Sequence, residues 1–319
     1  MRRNRLTLFI AAFALAVGGL VEAQTTRNVK IVVPYTPGSG PDILSRLVGD
    51  QIGRAQAAAI VVENRPGGGT VIGTDAAARA APDGGTVLLV ANSFVINPAL
   101  KRQSYDPVAS FEPVCLLAVT PIVLVVRGDS PYRSLADLIA AARAKPGELS
   151  LASGGPASSL HIAFEVVKRA ADITMTYVPY GGTAPAINAL MGGHVSSVFA
   201  DYPTVVQQLK AGALRALVTT SPTRTEPLPD VPTLTETGVS PYQAEIFYGI
   251  VVPAKTAAET LAQLSAWFGA AVTEPEMKAK LAMQGLYPSV KCGADFGAFL
   301  RKQVDEYTRI AREANIKAE

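Results

Sequence analysis

Cysteine and histidine are scarce, with two of each in 319 residues. So few thiol and imidazole groups leave almost nothing with which to build a zinc cluster or a redox centre. Charge is scarce as well. Only 17% of the residues are charged, Lys and Arg are spread thinly, and the formal net charge is +3. No basic stripe follows the backbone of a nucleic acid, so that class of partner is excluded. Beyond the first 23 residues no run is long and uncharged enough to span a membrane. No fixed-period repeat of the solenoid kind occurs. What is abundant is apolar side chain, 49% of the total, too much for a disordered chain. A single core rarely grows beyond ~250–300 residues, so a chain of this length is expected to form two lobes.

Residues 1–23 have the layout of a secretory signal peptide. Arg2, Arg3 and Arg5 form the positive start, Leu6 to Val21 the apolar run, and Val21-Glu22-Ala23 the small-x-small cleavage site. The run is too short for a bilayer span of ~20 residues and contains Gly18 and Gly19, which argues against a retained anchor. Cleavage after Ala23 removes three Arg and one Glu and takes the net charge from +3 to +1. The expectation is a soluble, exported protein. Export permits a disulfide between Cys115 and Cys292, but the surroundings of both also suit buried free thiols, and the sequence leaves the choice open.

Along the mature chain, short apolar strands alternate with helical patterns, which predicts α/β lobes on largely parallel sheets. Strands are expected at 30–34, 59–63, 86–91, 122–127, 149–153, 174–179, 195–200, 214–219 and 246–252. Helices are expected at 41–53, 71–81, 157–171, 184–192 and 203–211. The first of these carries Ile43, Leu44, Leu47, Val48 and Ile52 on one stripe. Ser134-Leu135-Ala136-Asp137 opens a further helix with a capping box. Pro222 to Pro232 reads as an extended connector, and 256–319 as mostly amphipathic helix.

Three times an apolar strand runs into a Gly- and Pro-containing turn that opens a helix. The turns are Tyr35-Thr36-Pro37-Gly38-Ser39-Gly40-Pro41-Asp42, Ser153-Gly154-Gly155-Pro156-Ala157-Ser158 and Tyr180-Gly181-Gly182-Thr183-Ala184-Pro185. The first N–H groups of a helix have no partner within it, and the macrodipole adds about half a positive charge there. Glycine lets a ligand approach the backbone, and proline fits the first helical position, where its missing N–H is not needed. Such turns seat carboxylates or phosphates, and in open α/β sheets they gather at the carboxyl ends of the strands. Three of the same grammar, at least one in each expected lobe, predict opposed N–H clusters across a cleft.

Competing motifs fall short. Gly38-x-Gly40 lacks the third glycine of a dinucleotide fingerprint, and Gly67-Gly68-Gly69-Thr70 lacks the lysine of a phosphate-binding loop and reads as a turn. Asp42 either meets a cationic ligand group or stabilises the first turn of its helix. Asp201 either contacts ligand or caps the helix that begins near Pro203. Ser158 and His161 could pair as nucleophile and base, but no Gly-x-Ser-x-Gly elbow supports them, and His161 is read as bracing the loop or touching ligand. His194 falls in a turn after Gly192-Gly193.

These features together resemble the Bug family, the periplasmic solute-binding proteins of tripartite tricarboxylate transporters, over essentially the whole mature chain. The resemblance is carried by Ile31-Val32-Val33-Pro34-Tyr35-Thr36-Pro37-Gly38-Ser39-Gly40-Pro41-Asp42, followed by Ile43-Leu44-Ser45-Arg46-Leu47, and by Val62-Glu63-Asn64-Arg65-Pro66-Gly67. Further carriers are Ala80-Ala81-Pro82-Asp83-Gly84, Val178-Pro179-Tyr180-Gly181-Gly182, Leu214-Arg215-Ala216-Leu217-Val218-Thr219 and Pro229-Asp230-Val231-Pro232-Thr233. It implies an α/β, two-lobe periplasmic-binding-protein fold of the Venus-flytrap, type II-like kind, with a ligand cleft between the lobes. After a signal peptide at 1–23, residues 24–122 with 226–319 would form one lobe and 123–225 the other.

By the same resemblance, the protein captures a small carboxylate in the periplasm, partly through ordered waters, closes on it and delivers it to membrane transporter subunits. No cofactor, metal or catalytic set is implied, and a monomer is expected. Carried over position by position, the ligand-binding candidates are Tyr35, Thr36, Pro37, Gly38, Ser39, Gly40 and Asp42 in the first loop and Ser153, Gly154, Ser158 and His161 in the facing loop. Tyr180, Gly181, Thr183 and Asp201 complete them. The chain departs from the family pattern at Ser39 and Pro41, where consecutive glycines are usual. It also departs at Ser196, where an acidic residue is usual, and at Phe247-Tyr248, where Trp is common. The alternatives kept open are an exported hydrolase using Ser158 and His161, and a ligand-sensing subunit for a membrane kinase. Tyr35, Tyr180 and Phe94 either stack on an aromatic ligand or pack within the protein.

Overall fold

The computed structural model describes residues 28–100, 105–155 and 158–313; the expected signal peptide at 1–23 lies outside the described residues. Strand β1 (Asn28–Val33) is flanked by β2 (Ala59–Asn64) and β3 (Thr86–Val90), all parallel. Ile31 and Val33 of β1 and Val87, Leu88 and Leu89 of β3 have no exposed surface. A strand covered on both faces must be apolar almost throughout, as these are. Helix α1 (Gly40–Gln56) crosses from β1 to β2 and buries Leu44, Val48 and Ile52 of its stripe, each worth roughly 1.5–3 kcal/mol of burial. Helix α2 (Val71–Ala78) links β2 to β3, and α3 (Asn92–Ala99) follows β3.

The chain then runs through β4 (Phe111–Arg127), 17 residues long and hence about 56 Å from end to end. Its first part pairs antiparallel with β9 (Glu245–Pro253), from Phe111 opposite Pro253 to Pro121 opposite Glu245. From Ile122 onward it pairs antiparallel with β7 (Ser197–Asp201) and β8 (Leu214–Thr219). In this second lobe β5 (Ser150–Ser153) lies parallel between β7 and β6 (Thr176–Pro179). Its helices are α4 (Leu135–Ala144), α5 (Ser159–Ala170), α6 (Thr183–Met191) and α7 (Tyr202–Lys210). The expected capping box is present at the start of α4: Ser134 accepts from Asp137 N–H, and Asp137 accepts from Ser134 N–H.

Helices α8 (Ala258–Thr273) and α9 (Pro275–Met283), strand β10 (Tyr287–Cys292) and helix α10 (Ala294–Glu313) return to the first lobe, where β10 pairs with β4. The result is one curled sheet in the order β2-β1-β3-β9-β4-β7-β5-β6, with β8 and β10 also on β4. The chain passes between lobes within β4 and again through 220–244, which is tied to the crossing by Thr220 N–H to Ile122 O (3.1 Å) and Ala244 N–H to Thr220 O (2.9 Å).

One expectation is corrected here, and three elements are added to those expected. The sheet is mixed rather than largely parallel, because β4 and β9 run antiparallel through its middle. The first part of β4 escaped notice because Pro113 and Pro121 break the usual strand pattern; β-bulges beside Pro113 and at Leu116–Ala118 accommodate it. Strand β10 interrupts the stretch expected to be mostly helical, and α3 was not anticipated because Asn92, Ser93 and Pro98 disguise it. The cysteine question is answered: Cys115 and Cys292 stand directly opposite each other on β4 and β10 and form a disulfide. Among the described residues no helix is long and apolar enough to cross a membrane.

Candidate functional site

The carboxyl ends of β1, β2, β3, β5, β6 and β7 all deliver their following turns to one cavity of about 200 Å³. That is where a twisted α/β sheet leaves a crevice. From the first lobe come Tyr35, Thr36 and Ser39, the Gly67–Thr70 turn, and Asn92 with Ser93 at the start of α3. From the second come Gly154, Ser158, Ser159, Leu160, Tyr180, Gly181, Thr183 and Asp201. Ile246 and Tyr248 of β9 close one side. Among the described residues of the wall, Asp201 is the sole side chain with a formal charge. No lysine or arginine lines it among the described residues.

Two close approaches between the lobes border this cavity. Gly182, ahead of α6, lies against Thr36, so that a Cβ there would fall 2.8 Å from Thr36 Cγ2. Gly40, the first residue of α1, donates its N–H to Asp201 Oδ2 at 2.9 Å. The amide of Gly40, one of the ligand-binding candidates, therefore already has a partner within the protein. Part of the anion seat at the start of α1 is filled by the protein's own carboxylate, and Pro41 removes the next N–H. A Cβ at Gly40 would also meet Tyr248 Oη at 2.6 Å, which explains the glycine.

Asp201 does not cap the helix that follows it. It occupies the N-cap position of α7, yet its carboxylate makes no capping bond to that helix's backbone. Besides Gly40 it accepts from Thr204 Oγ1 at 2.7 Å, and Thr183 lies beside it. Burial pushes its carboxyl above the ordinary range, and these hydrogen bonds pull it only part of the way back. Tyr248 Oη faces the same carboxylate. It is buried, has no hydrogen-bond partner of ordinary geometry, and is held fully protonated by burial and by the negative charge of Asp201.

Of the residues singled out from the sequence, Tyr35, Thr36, Ser39, Gly154, Ser158, Tyr180, Gly181, Thr183 and Asp201 line the cavity. Pro37, Gly38, Gly40, Asp42, Ser153 and His161 stand behind the wall. Asp42 accepts from Gly38 N–H (2.9 Å), Arg46 and Asn64 Nδ2 (2.9 Å). Burial alone would raise its carboxyl, but these partners outweigh it and hold the group below its usual value. Its cation is Arg46, within its own helix. Ser153 shares a hydrogen bond with Tyr177 Oη at 2.8 Å, under the facing loop. Tyr35 points its hydroxyl at Ser93 Oγ, 2.6 Å away.

Ser158 and His161 meet as an N-cap and its helix. Ser158 Oγ accepts the backbone N–H of His161 at 3.2 Å and donates to Gly155 O at 2.8 Å. The imidazole stacks on Tyr177, with ring centroids 4.2 Å apart. With both Ser158 interactions made to backbone, this is the arrangement of a helix start and of packing. Because that cap serves the third amide, the N–H groups of Ser159 and Leu160 are the two left without intrahelical acceptors beside the cavity. Thr183 N–H opens α6 close by, within 3.0 Å of where a Gly154 Cβ would be.

Two features were not foreseen. Gly67, Gly68, Gly69 and Thr70 form a run of positive φ (123°, 59°, 63° and 81°) against the cavity, with Asn97 Nδ2 fixing Gly69 O at 2.8 Å. The glycine triplet following a strand is the available signal, although it lacks the lysine of a phosphate-binding loop. Tyr248 was hidden because it sits mid-strand, where an aromatic side chain usually packs. The arrangement offers backbone N–H donors and hydroxyls at the starts of three helices and one tight turn, with the lobes meeting over a small chamber. It is suited to holding an anionic small molecule by polar contacts.

Fold and site together define a two-lobe solute-binding receptor. The chain matches the family model of the tripartite tricarboxylate transporter family receptor over residues 44–316, and it belongs to that family. It is similar to BugT of Bordetella pertussis, with 29% identity over 97% of this chain and 96% of BugT. Among solved structures it resembles an adipate-bound protein of R. palustris (TM-score 0.88, 29% identity, 92% of this chain and 99% of that one). It also resembles malate-bound MatC of Rhodopseudomonas palustris (TM-score 0.83, 25% identity, 90% and 99%).

Proposed function

We propose that this chain is the periplasmic receptor that captures a small carboxylate between its lobes and hands it to the membrane subunits of a tripartite tricarboxylate transporter. The observation that carries this is the convergence of six strand-end turns on one chamber whose described wall holds no cationic side chain. Carboxylate recognition there rests on N–H groups at helix starts, on hydroxyls and on ordered water. Adipate and malate in the two R. palustris proteins support the ligand class. In this reading the nine lining residues named from the sequence touch ligand or its waters. Those behind the wall hold the loops in shape.

The reading includes a signal peptide at 1–23 and lobes of 24–122 with 226–319, and of 123–225. Periplasmic location is supported by the family and by the disulfide. Receptors of this kind change no bond in what they carry, and the capped geometry of Ser158 supports that role.

The test is a melting-temperature screen of the purified protein against aliphatic and aromatic mono- and dicarboxylates, adipate and malate included, with hits titrated by calorimetry. A ligand that binds only the folded form raises the midpoint. At least one carboxylate is expected to do so, and its carboxamide is not. Gly154→Val, which crowds Thr183 N–H, is expected to abolish the shift while leaving the unliganded midpoint within a few degrees. If no carboxylate moves the midpoint, the proposal falls.

A further inference from the structure

Two hydroxyls in the chamber wall, Thr36 Oγ1 and Tyr248 Oη, are buried without a hydrogen-bond partner of ordinary geometry, and the second of them faces the Asp201 carboxylate. The Tyr248 ring is 1% exposed and lines the cavity, and its hydroxyl is without a partner of ordinary geometry. Buried hydroxyls almost always find an acceptor, and one left unmatched costs roughly 1–3 kcal/mol. Beside it, Asp201 Oδ2 already accepts from Gly40 and Thr204, and the carboxylate has no cation in the described wall. The chemistry of whatever fills this corner is therefore constrained. A second carboxylate would accept from Tyr248 but would press one anion against another in a buried place. An ammonium would suit Asp201 yet offer no acceptor to the Tyr248 proton. A hydroxyl satisfies both, accepting from Tyr248 Oη and donating to Asp201.

We propose that Tyr248 is a specificity-determining residue, whose hydroxyl selects a carboxylate bearing a hydroxyl group that sits between Tyr248 Oη and the Asp201 carboxylate. This deepens the carboxylate reading above and rests on it. The carboxylate of the ligand then lies toward the N–H groups of Ser159 and Leu160, and its hydroxyl at the start of α1.

The experiment titrates the wild-type protein and Tyr248→Phe by calorimetry with two matched sets: malate, succinate and aspartate; and 3-hydroxybutyrate, butyrate and 3-aminobutyrate. In at least one set the wild type is expected to bind the hydroxy acid about tenfold or more tighter than the other two members, the scale of one well-placed hydrogen bond. Tyr248→Phe is expected to erase that preference by weakening the hydroxy acid alone. Because the hydroxyl lacks a good partner in the protein, its removal is expected not to lower the unliganded melting midpoint. A lowered midpoint would assign the hydroxyl to the fold and overturn the proposal. So would a wild type that binds a deoxy or amino member as tightly in both sets, or a preference that survives in Tyr248→Phe. Either binding result would leave carboxylate capture standing. No binding by any of the six, with no hit in the wider screen, would instead remove the carboxylate reading and this proposal with it.

Discussion

Substitution of Gly182 by alanine isolates lobe closure from everything else in the molecule. Gly182 has φ 162°, extended backbone that alanine adopts without strain, so nothing within the second lobe opposes the change. Across the cleft the added methyl would overlap Thr36 Oγ1 and lie 2.8 Å from Cγ2 and 3.1 Å from Cβ. Carbon atoms in contact prefer ~3.5–4.0 Å. Rotating the Thr36 side chain moves Oγ1 and Cγ2 but leaves Cβ in place, and β-branching limits the rotation. The lobes must therefore stand apart by several tenths of an ångström to about 1 Å, or repack at a cost on the order of 1–3 kcal/mol. That corresponds to a five- to 150-fold loss of affinity, with the unfolding midpoint of the unliganded protein unchanged. Calorimetry with a ligand found in the screen reads the loss, and a double-mutant cycle with Thr36→Ala assigns it. Thr36→Ala removes the two overlapping atoms, so Gly182→Ala should cost clearly less on that background than on the wild type. Wild-type affinity in Gly182→Ala, or an equal penalty on both backgrounds, would refute the reasoning.

Other perturbations test other parts of the structure. Replacing both Cys115 and Cys292 by alanine opens a covalent link between residues 177 apart in sequence and is expected to lower unfolding free energy by roughly 2–5 kcal/mol, measured by urea titration, with ligand affinity nearly unchanged. Asp42, held below its ordinary value near 3.8, stabilises the fold fully above that pH and loses its contribution as pH falls toward its lower folded value. Asp42→Asn should therefore flatten the acid limb of a stability–pH curve and cost about 1–3 kcal/mol at pH 7. Asp201 has the opposite sign, since burial raises its carboxyl. Asp201→Asn keeps an acceptor for Gly40 N–H without the buried charge and should melt higher than Asp201→Ala, which leaves that N–H unpaired; the reverse order would contradict the bridge.

Much of this architecture is written in local pattern. The stripe on α1, the Ser134 capping box and the strands of both lobes follow from periodicity and capping chemistry, which depend on neighbours a few residues away. The middle of the sheet does not. β4 carries Pro113 and Pro121 within a 17-residue strand, and only its pairing with β9 on one side and β7 and β8 on the other makes that segment a strand at all. The site divides in the same way. Helix starts at Ser158 and Thr183 are legible because Gly, Ser and Thr have chemical reasons to be there. That Asp201 reaches over to Gly40, 161 residues away in sequence, depends on how two lobes meet, and no local spacing encodes it. Gly67–Thr70 lay between these extremes: the turn was visible, but its place in the wall required the third dimension.

The unbroken course of β4 through both sheets bears on how the molecule can move. A backbone bonded on both sides resists stretching and shear along its length, whereas a twist about the few peptide units near Ile122 disturbs little pairing. Relative motion is thereby reduced to something close to a single pivot, with the 220–244 segment travelling alongside it. Points beside the axis, such as the Thr220 to Ile122 bond, stay together throughout the swing. Thr36 and Gly182 face each other from opposite lobes, so the gap between them reports the swing.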